Sequence, residues 1–598
     1  MSVWGKNVAI LGSYACVVGL LCGCGSGGAN SMQPSSSSQF SFQLASATIA
    51  AFPNQAAASV GITVTRSGST ASLNASVSNL PDGAGATVSS PGTGSSGSIS
   101  ISSGSATVGT YPLTVNVTDG STVVTQPLSL TIGVTAVIGS SAAGTLNEAM
   151  STSFQIAEWT SSFFQTYPGT STTPGAATLL GNLEPQHVRM QILSQAIPQT
   201  SAKTWDFTMA DASVQPILGV GDHSPEFQIA VAPAFMYVSG TQQFTDPTFA
   251  QFAGYAANLV RYYNKGGFTL GGTVYKSPSS YPIQWWGIYN EPNINGVTPQ
   301  EYVSMYNTLV PAMQAVDPTL KFVAVELSDF DTEEQQFIPT FVQEVTAQVD
   351  VLATHFYSSC DQLNTDDQLM ATIPVFASGV QYLYSQLATN AQLKNVPVWI
   401  LENNVNADYE GANGMSTCNP GQVFVTDQRG SSPFFAAWRT YEFSALGKAG
   451  AHALYHWSFD GDAQYGEFNS NTGKLQLSYW VDYWLSRMFP APAGGTMYSV
   501  TNTDSGNVEV LAVKEPGGPT VVMVSDHAVA NANDNNGAGS PRTVLVDTSA
   551  LGSFTTAKQL TIDANTNVAN GPQQQTITYA PQMQVTLGGY GVAFLTLQ

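Results

Sequence analysis

A chain of 598 residues is longer than one hydrophobic core usually organises, so two to four domains are expected. Hydrophobic residues make up 43% and charged residues only 9%, with a formal net charge of -22. Binding to nucleic acid needs clustered Lys and Arg and is excluded as a function class. A surface of Ser, Thr, Asn, Gln and Gly suits an exported protein that handles neutral ligands.

At the N-terminus Lys6 precedes a short apolar run, Val8 to Leu21, which reads as a signal peptide and is too short for a span of roughly 20 apolar residues. The sequence Leu21-Cys22-Gly23-Cys24 resembles the lipobox of bacterial lipoproteins. That resemblance implies a lipoprotein signal over residues 1–24 and an acylated Cys24. The expected location is the bacterial cell envelope, on the periplasmic or cell-surface face, with membrane contact through the lipid anchor only. An ordinary secretory signal and an uncleaved anchor are the alternatives. The Ser/Gly-rich residues 25–38 fit a flexible linker. Cys360 and Cys418 are left as an even pair, which predicts either a disulfide in an oxidising compartment or two buried thiols.

Residues 39–133 contain short alternating runs, such as Ser59 to Thr65 and Thr110 to Val117, separated by Gly, Ser, Pro, Asn and Asp. The pattern predicts an Ig-like β-sandwich. Over residues 134–490 apolar strands alternate with amphipathic segments. Expected strands are His187 to Ile192, Glu226 to Val231, Ile283 to Tyr289, Lys321 to Val325, Val349 to Phe356, Val396 to Leu401 and Ala453 to Phe459. Helical segments are expected at Glu301 to Ala315, Ile373 to Leu387 and Phe434 to Leu446. One further strand before His187 gives eight, the number that closes a barrel, so the fold class is α/β: a (β/α)₈ TIM barrel. Residues 491–598 return to β-type runs, including Val508 to Val513, Thr520 to Val524 and Gly591 to Leu595, and predict a C-terminal β-sandwich.

Two strand ends carry the chemistry. Trp285-Trp286-Gly287-Ile288-Tyr289-Asn290-Glu291-Pro292 leads from an apolar strand to an amide and a carboxylate, with Pro292 forcing the chain out of the strand. Val396-Pro397-Val398-Trp399-Ile400-Leu401-Glu402-Asn403 repeats the pattern. The intervening chain accommodates three βα units, so the pair fits the ends of strands four and seven at the barrel's C-terminal face. Facing carboxylates there suit glycosidic cleavage, one protonating the leaving oxygen while the other meets positive charge at the anomeric carbon.

The Asn-Glu-Pro ending and the later strand-end Glu resemble clan A of retaining (β/α)₈ glycoside hydrolases, and within it glycoside hydrolase family 39, the β-xylosidase and α-iduronidase family. His187-Val188-Arg189-Met190-Gln191 resembles that family's second strand, and Trp205-Asp206-Phe207 through Pro233-Ala234-Phe235-Met236 its third βα unit. Glu301-Tyr302-Val303-Ser304-Met305-Tyr306 resembles the helix after the acid/base strand. The resemblance implies Glu291 as general acid/base, Glu402 as nucleophile and Asn290 as a hydrogen-bond partner of the sugar 2-hydroxyl. Leu401-Glu402-Asn403 departs from the family's usual Thr-Glu-Phe or Thr-Glu-Trp.

Further substrate-binding candidates follow from position. His355 and Tyr357 share one side of the sixth strand and are placed to steady the nucleophile, or else to pack in the core. Trp457 is either an aromatic floor for the sugar or ordinary barrel packing. Arg189, inside a strand, needs a carboxylate partner: Glu402, or a structural ion pair elsewhere. Trp159, Trp205, Trp285 and Trp286 are not separable from core residues. No metal and no cofactor are expected, and the expected partner is an oligosaccharide or polysaccharide. A non-catalytic glycan-binding lipoprotein and a transglycosylase using the same glutamates are the alternative functions.

Overall fold

The computed structural model describes residues 39–598, apart from 158, 159, 161, 194, 195, 222, 330–333 and 493. The expected signal peptide, the linker, Cys24 and Trp159 therefore lie outside the described residues. Residues from Phe40 to Ile132 form two four-stranded sheets. Alternate side chains of both sheets, among them Phe42, Ile62, Ile99, Val115 and Leu130, meet in a core of their own. Period-two alternation buries one face of each strand and leaves the other to Ser and Thr, as in Ala58–Arg66 and Gly109–Thr118.

Eight strands then close a parallel barrel in sequence order. They are Ala149–Ile156, His187–Ile192, Ser224–Ile229, Trp285–Ile288, Lys321–Leu327, Val351–Ser359, Val398–Asn406 and Ala453–His456. The ring shuts where Ala149 to Thr152 pair with Ala453 to His456. Outward residues such as Val188, Met190, Phe227 and Ile288 pack under the surrounding helices. Inside, Val323, Val351, Ala353, Trp399, Leu401, Ala453 and Tyr455 plug the lower barrel, with Trp285 against them. The helix Pro299–Gln314 starts with a reciprocal cap, because Thr298 Oγ1 accepts from Glu301 N and Glu301 Oε2 accepts from Thr298 N. Trp205-Asp206-Phe207 leads into the helix Thr208–Gly219 between strands two and three, so it belongs to the second βα unit rather than the third.

The domain boundary expected at residue 134 is corrected. Val134–Leu146 is a 13-residue strand that pairs with Gly495–Asn502 and Arg542–Asp547, and the barrel begins only at Ala149. Its partners lie far along the chain, from Leu146 pairing with Gly495 to Val134 pairing with Val544, so local pattern could not assign it. The C-terminal region is a nine-stranded sheet with both faces covered. Val510, Ala512, Val522 and Val524 face a core shared with Val134, Val544 and Val585, while Leu511, Val513, Val521 and Met523 face the barrel helices. No described helix is long and apolar enough to cross a membrane.

Candidate active site

The barrel interior changes from apolar to polar towards the C-terminal ends of the strands. In strand two His187, Arg189 and Gln191 point inward while Val188, Met190 and Ile192 pack outward, and all six are buried. Strand three does the same with Glu226 and Gln228.

Two irregularities aim further carboxylates into this polar layer. In strand five the pairing with strand six skips Glu326, and in strand seven the register jumps from Ile400 to Glu402. Leu401 already faces the apolar plug, so strict alternation would turn Glu402 away from it. The extra residue rotates Glu402 into the barrel as well, a use to which bulges beside functional sites are put. Tyr289 (φ 67°), Glu291 (φ 47°), Val325 (φ 83°) and Glu326 (φ 46°) adopt left-handed backbone. Such conformations cost about 1–3 kcal/mol each and persist where surrounding contacts impose them. Here Glu291 N donates to Glu326 O at 3.0 Å, and Asn295 Nδ2 donates to the carbonyls of Asn290 and Glu291 at 3.0 and 3.2 Å.

Glu402 is held on both oxygens. Oε1 accepts from Arg189 Nη1 at 2.9 Å and Gln191 Nε2 at 3.0 Å, and Oε2 accepts from the Tyr357 hydroxyl at 3.0 Å. Burial pushes the Glu402 carboxyl up, but His355, Arg189 and these donors outweigh it and hold the group below its ordinary value. Burial and the Glu402 charge push Tyr357 well up, so its hydroxyl keeps its proton and donates. His355 Nδ1 lies 3.0 Å from Glu291 Oε1 and 3.6 Å from Glu402 Oε2. One ligand-capable atom from each of Glu291, His355 and Glu402 lies within 4.8 Å of the others. The Glu291 side chain is 19% exposed against 7% for Glu402. Glu291 therefore sits nearer solvent, while Glu402 is largely buried and held towards its ionised form.

Asn290 Oδ1 accepts from Arg189 Nη2 at 3.0 Å and Gln228 Nε2 at 2.9 Å, which fixes the amide and turns Nδ2 away from both. The Arg189 guanidinium also pairs with Glu326 Oε2 at 3.1 Å and lies 5.7 Å from the centre of the Trp457 ring. The structure thus gathers Arg189, Asn290, Glu291, His355, Tyr357, Glu402 and Trp457 at one mouth. Cys360 and Cys418 form a disulfide with a Cα–Cα distance of 5.7 Å, joining the loops after strands six and seven beside that mouth. Trp205 and Trp286 are core residues, and Trp285 packs against the plug.

Sequence reasoning missed Gln191, Glu226, Gln228 and Glu326. Glu326 ends the apolar run Phe322-Val323-Ala324-Val325 as Glu402 ends the apolar run Val398-Trp399-Ile400-Leu401, and that signal was available. Among the described residues a second group, His456, Glu467 and Asp482, brings ligand-type atoms within 4.8 Å. There both ring nitrogens of His456 are taken, by Asp482 at 2.7 Å and the Tyr465 carbonyl at 2.8 Å, and Arg439 pairs with Asp482, so the group reads as a buried ion-pair network.

No family model matches this sequence, and no curated protein does. Solved structures do match in fold. An arabinofuranosidase of family GH51 from Xanthomonas axonopodis pv. citri covers 78% of this chain and 100% of its own at 10% identity, with a TM-score of 0.56. A GH39 β-xylosidase from Caulobacter crescentus covers 78% and 99% at 13% identity, with a TM-score of 0.50. A xylanase of glycoside hydrolase family 30 subfamily 8 from Clostridium acetobutylicum covers 77% and 99% at 14% identity, also with a TM-score of 0.50. At these identities the likeness is one of fold, and it embraces the closed barrel together with accompanying β-structure.

Proposed function

We propose that the protein is a retaining glycoside hydrolase in which Glu402 is the nucleophile and Glu291 the general acid/base. The observation that carries this reading is the approach of a Glu291 and a Glu402 oxygen to within 4.8 Å at the barrel mouth. Retaining enzymes place the two carboxyl groups about 5–5.5 Å apart, whereas inverting enzymes need about 6.5–9.5 Å to admit a water. Glu402, held towards its charged form by three hydrogen-bond donors, suits attack on the anomeric carbon. Glu291, nearer solvent and beside His355, suits donation of a proton to the leaving oxygen and then deprotonation of water. Asn290, with Oδ1 committed to Arg189 and Gln228, keeps Nδ2 to donate to a sugar hydroxyl. Trp457 offers an aromatic face to the ring.

The neighbours named as arabinofuranosidase, β-xylosidase and xylanase support pentose-containing glycans as the substrate class, and one named as a glucosidase adds glucosides to it. Export and lipid anchoring at Cys24 complete the proposal; Cys24→Ser moves the protein from the membrane to the soluble fraction, and unchanged partition contradicts the anchor. The catalytic reading is tested with aryl pentosides. Glu402→Ala reduces turnover to background on every leaving group. Glu291→Ala loses about 10²–10⁴-fold on poor leaving groups, much less on activated ones, and recovers turnover with added azide. Retained turnover in Glu402→Ala removes it as nucleophile.

A further inference from the structure

Below Glu402 lie two more carboxylates, Glu226 and Glu326, both with no exposed surface. Their Oε2 atoms are satisfied. Tyr455 donates to Glu226 Oε2 at 2.8 Å, while Arg189, at 3.1 Å, and Gln228 donate to Glu326 Oε2. Their Oε1 atoms are buried and meet no donor among the described residues. Both Oε1 atoms converge on Gly287 of strand four. A Cβ built there would lie 2.3 Å from Glu326 Oε1 and 3.3 Å from Glu226 Oε1. Glycine therefore leaves open a space that both oxygens border.

Two ionised carboxylates meeting there without a donor would be costly. Among the described residues Arg189 is the one cation in direct contact with the pair, through Glu326, and it already serves Glu402. A single proton between the two Oε1 atoms satisfies both, since the protonated carboxyl donates to the ionised one.

We propose that Glu226 and Glu326 hold one proton between them across Gly287, and that Glu326 is a positioning residue that divides the Arg189 charge with Glu402. Burial pushes both carboxyls up, Glu226 to about 7, and Arg189 only partly offsets this. The titratable and charged groups facing the pair are Arg189 and His187 from strand two, Tyr302 and Tyr306 from the helix after strand four, His355, Glu402 and Tyr455. The share of the pair's negative charge that Glu326 carries accepts from Arg189 and Gln228, and it competes with Glu402 for Arg189. The catalytic consequence rests on the reading of Glu402 as nucleophile; the shared proton does not.

Infrared difference spectra at neutral pH test the proton directly. Relative to the native protein, Glu226→Gln loses one protonated-carboxyl stretch, and the double variant Glu226→Gln/Glu326→Gln loses no more. No loss in Glu226→Gln, or a second loss in the double variant, overturns the shared proton. The pH profile of kcat/KM tests the positioning role, which a merely structural residue would not move. In Glu326→Gln the Arg189 charge falls wholly to Glu402, so the acidic limb moves down by about one pH unit. An unmoved or raised limb overturns that role. If the native protein cleaves no glycoside, the proposed activity fails and the infrared result still decides the pair.

Discussion

At the residue scale, the central object is one guanidinium shared between two carboxylates. Arg189 is fully buried and touches Glu402, Glu326 and Asn290. Burial works against its charge, yet Glu402, Glu326 and Glu226 together hold the cation firmly protonated. Its planar fork serves the Glu402 carboxylate and the Asn290 amide at once, which a lysine ammonium would not reproduce. The other prop of Glu402 is the Tyr357 hydroxyl, and its removal is informative because it takes away one donor and little volume. In Tyr357→Phe the ionised form of Glu402 loses a hydrogen bond of about 1.5–3 kcal/mol. The Glu402 carboxyl then rises towards its ordinary value. In the proposed mechanism attack needs the ionised form, so activity is lost at a higher pH as the solution is acidified. The predicted result is an acidic limb of kcat/KM displaced upward with the basic limb unchanged; a limb that stays in place contradicts the Tyr357 to Glu402 contact.

At the element scale, strands supply the polar layer and their irregularities supply the carboxylates. The strand-end logic found Glu291 and Glu402 because an apolar run ending in its first acid is visible in sequence. It stopped at Val325 in strand five and so missed Glu326, although the strand continues to Leu327. Gln191, Glu226 and Gln228 were legible in principle, since polar residues at every second position of a buried strand must face the barrel interior. The bulges were not legible, because they depend on register with neighbouring strands. The loops after strands six and seven are tied by Cys360–Cys418, and Asp408 Oδ1 accepts from Thr417 N and Cys418 N, each at 3.0 Å. The crosslink closes a separation of 58 residues beside the mouth. Cys418→Ser is predicted to cost roughly 2–4 kcal/mol and to lower the melting temperature. A melting temperature equal to the native value in non-reducing buffer would show that the crosslink adds no stability.

At the scale of the whole molecule, the barrel and the C-terminal sheet form one packed body, and the N-terminal sandwich is an addition. Leu511, Val521, Met523, Leu560 and Phe594 of the sheet belong to the same core cluster as the barrel helices. Val134–Leu146 threads from the sandwich into that sheet before the barrel begins, which is why a boundary drawn from local texture fell too early. The sandwich keeps its own core and meets the sheet through few contacts, including Thr135 Oγ1 to the Pro53 carbonyl at 2.8 Å and Gln582 to Gln55 at 3.1 Å. A protein lacking residues 39–132 is therefore predicted to fold and to keep the native rate on aryl glycosides. Loss of the cooperative thermal transition in that protein would show that the sandwich supports the barrel.

In the proposed mechanism Glu402 attacks the anomeric carbon directly, and the two carboxylates stand closer than the roughly 6.5–9.5 Å at which a water attacks instead. Proton NMR of the first anomer released from an aryl glycoside measures this directly. Release of the anomer with the substrate's own configuration, before mutarotation, is the predicted result. First release of the opposite anomer would mean direct attack by water and would contradict the account.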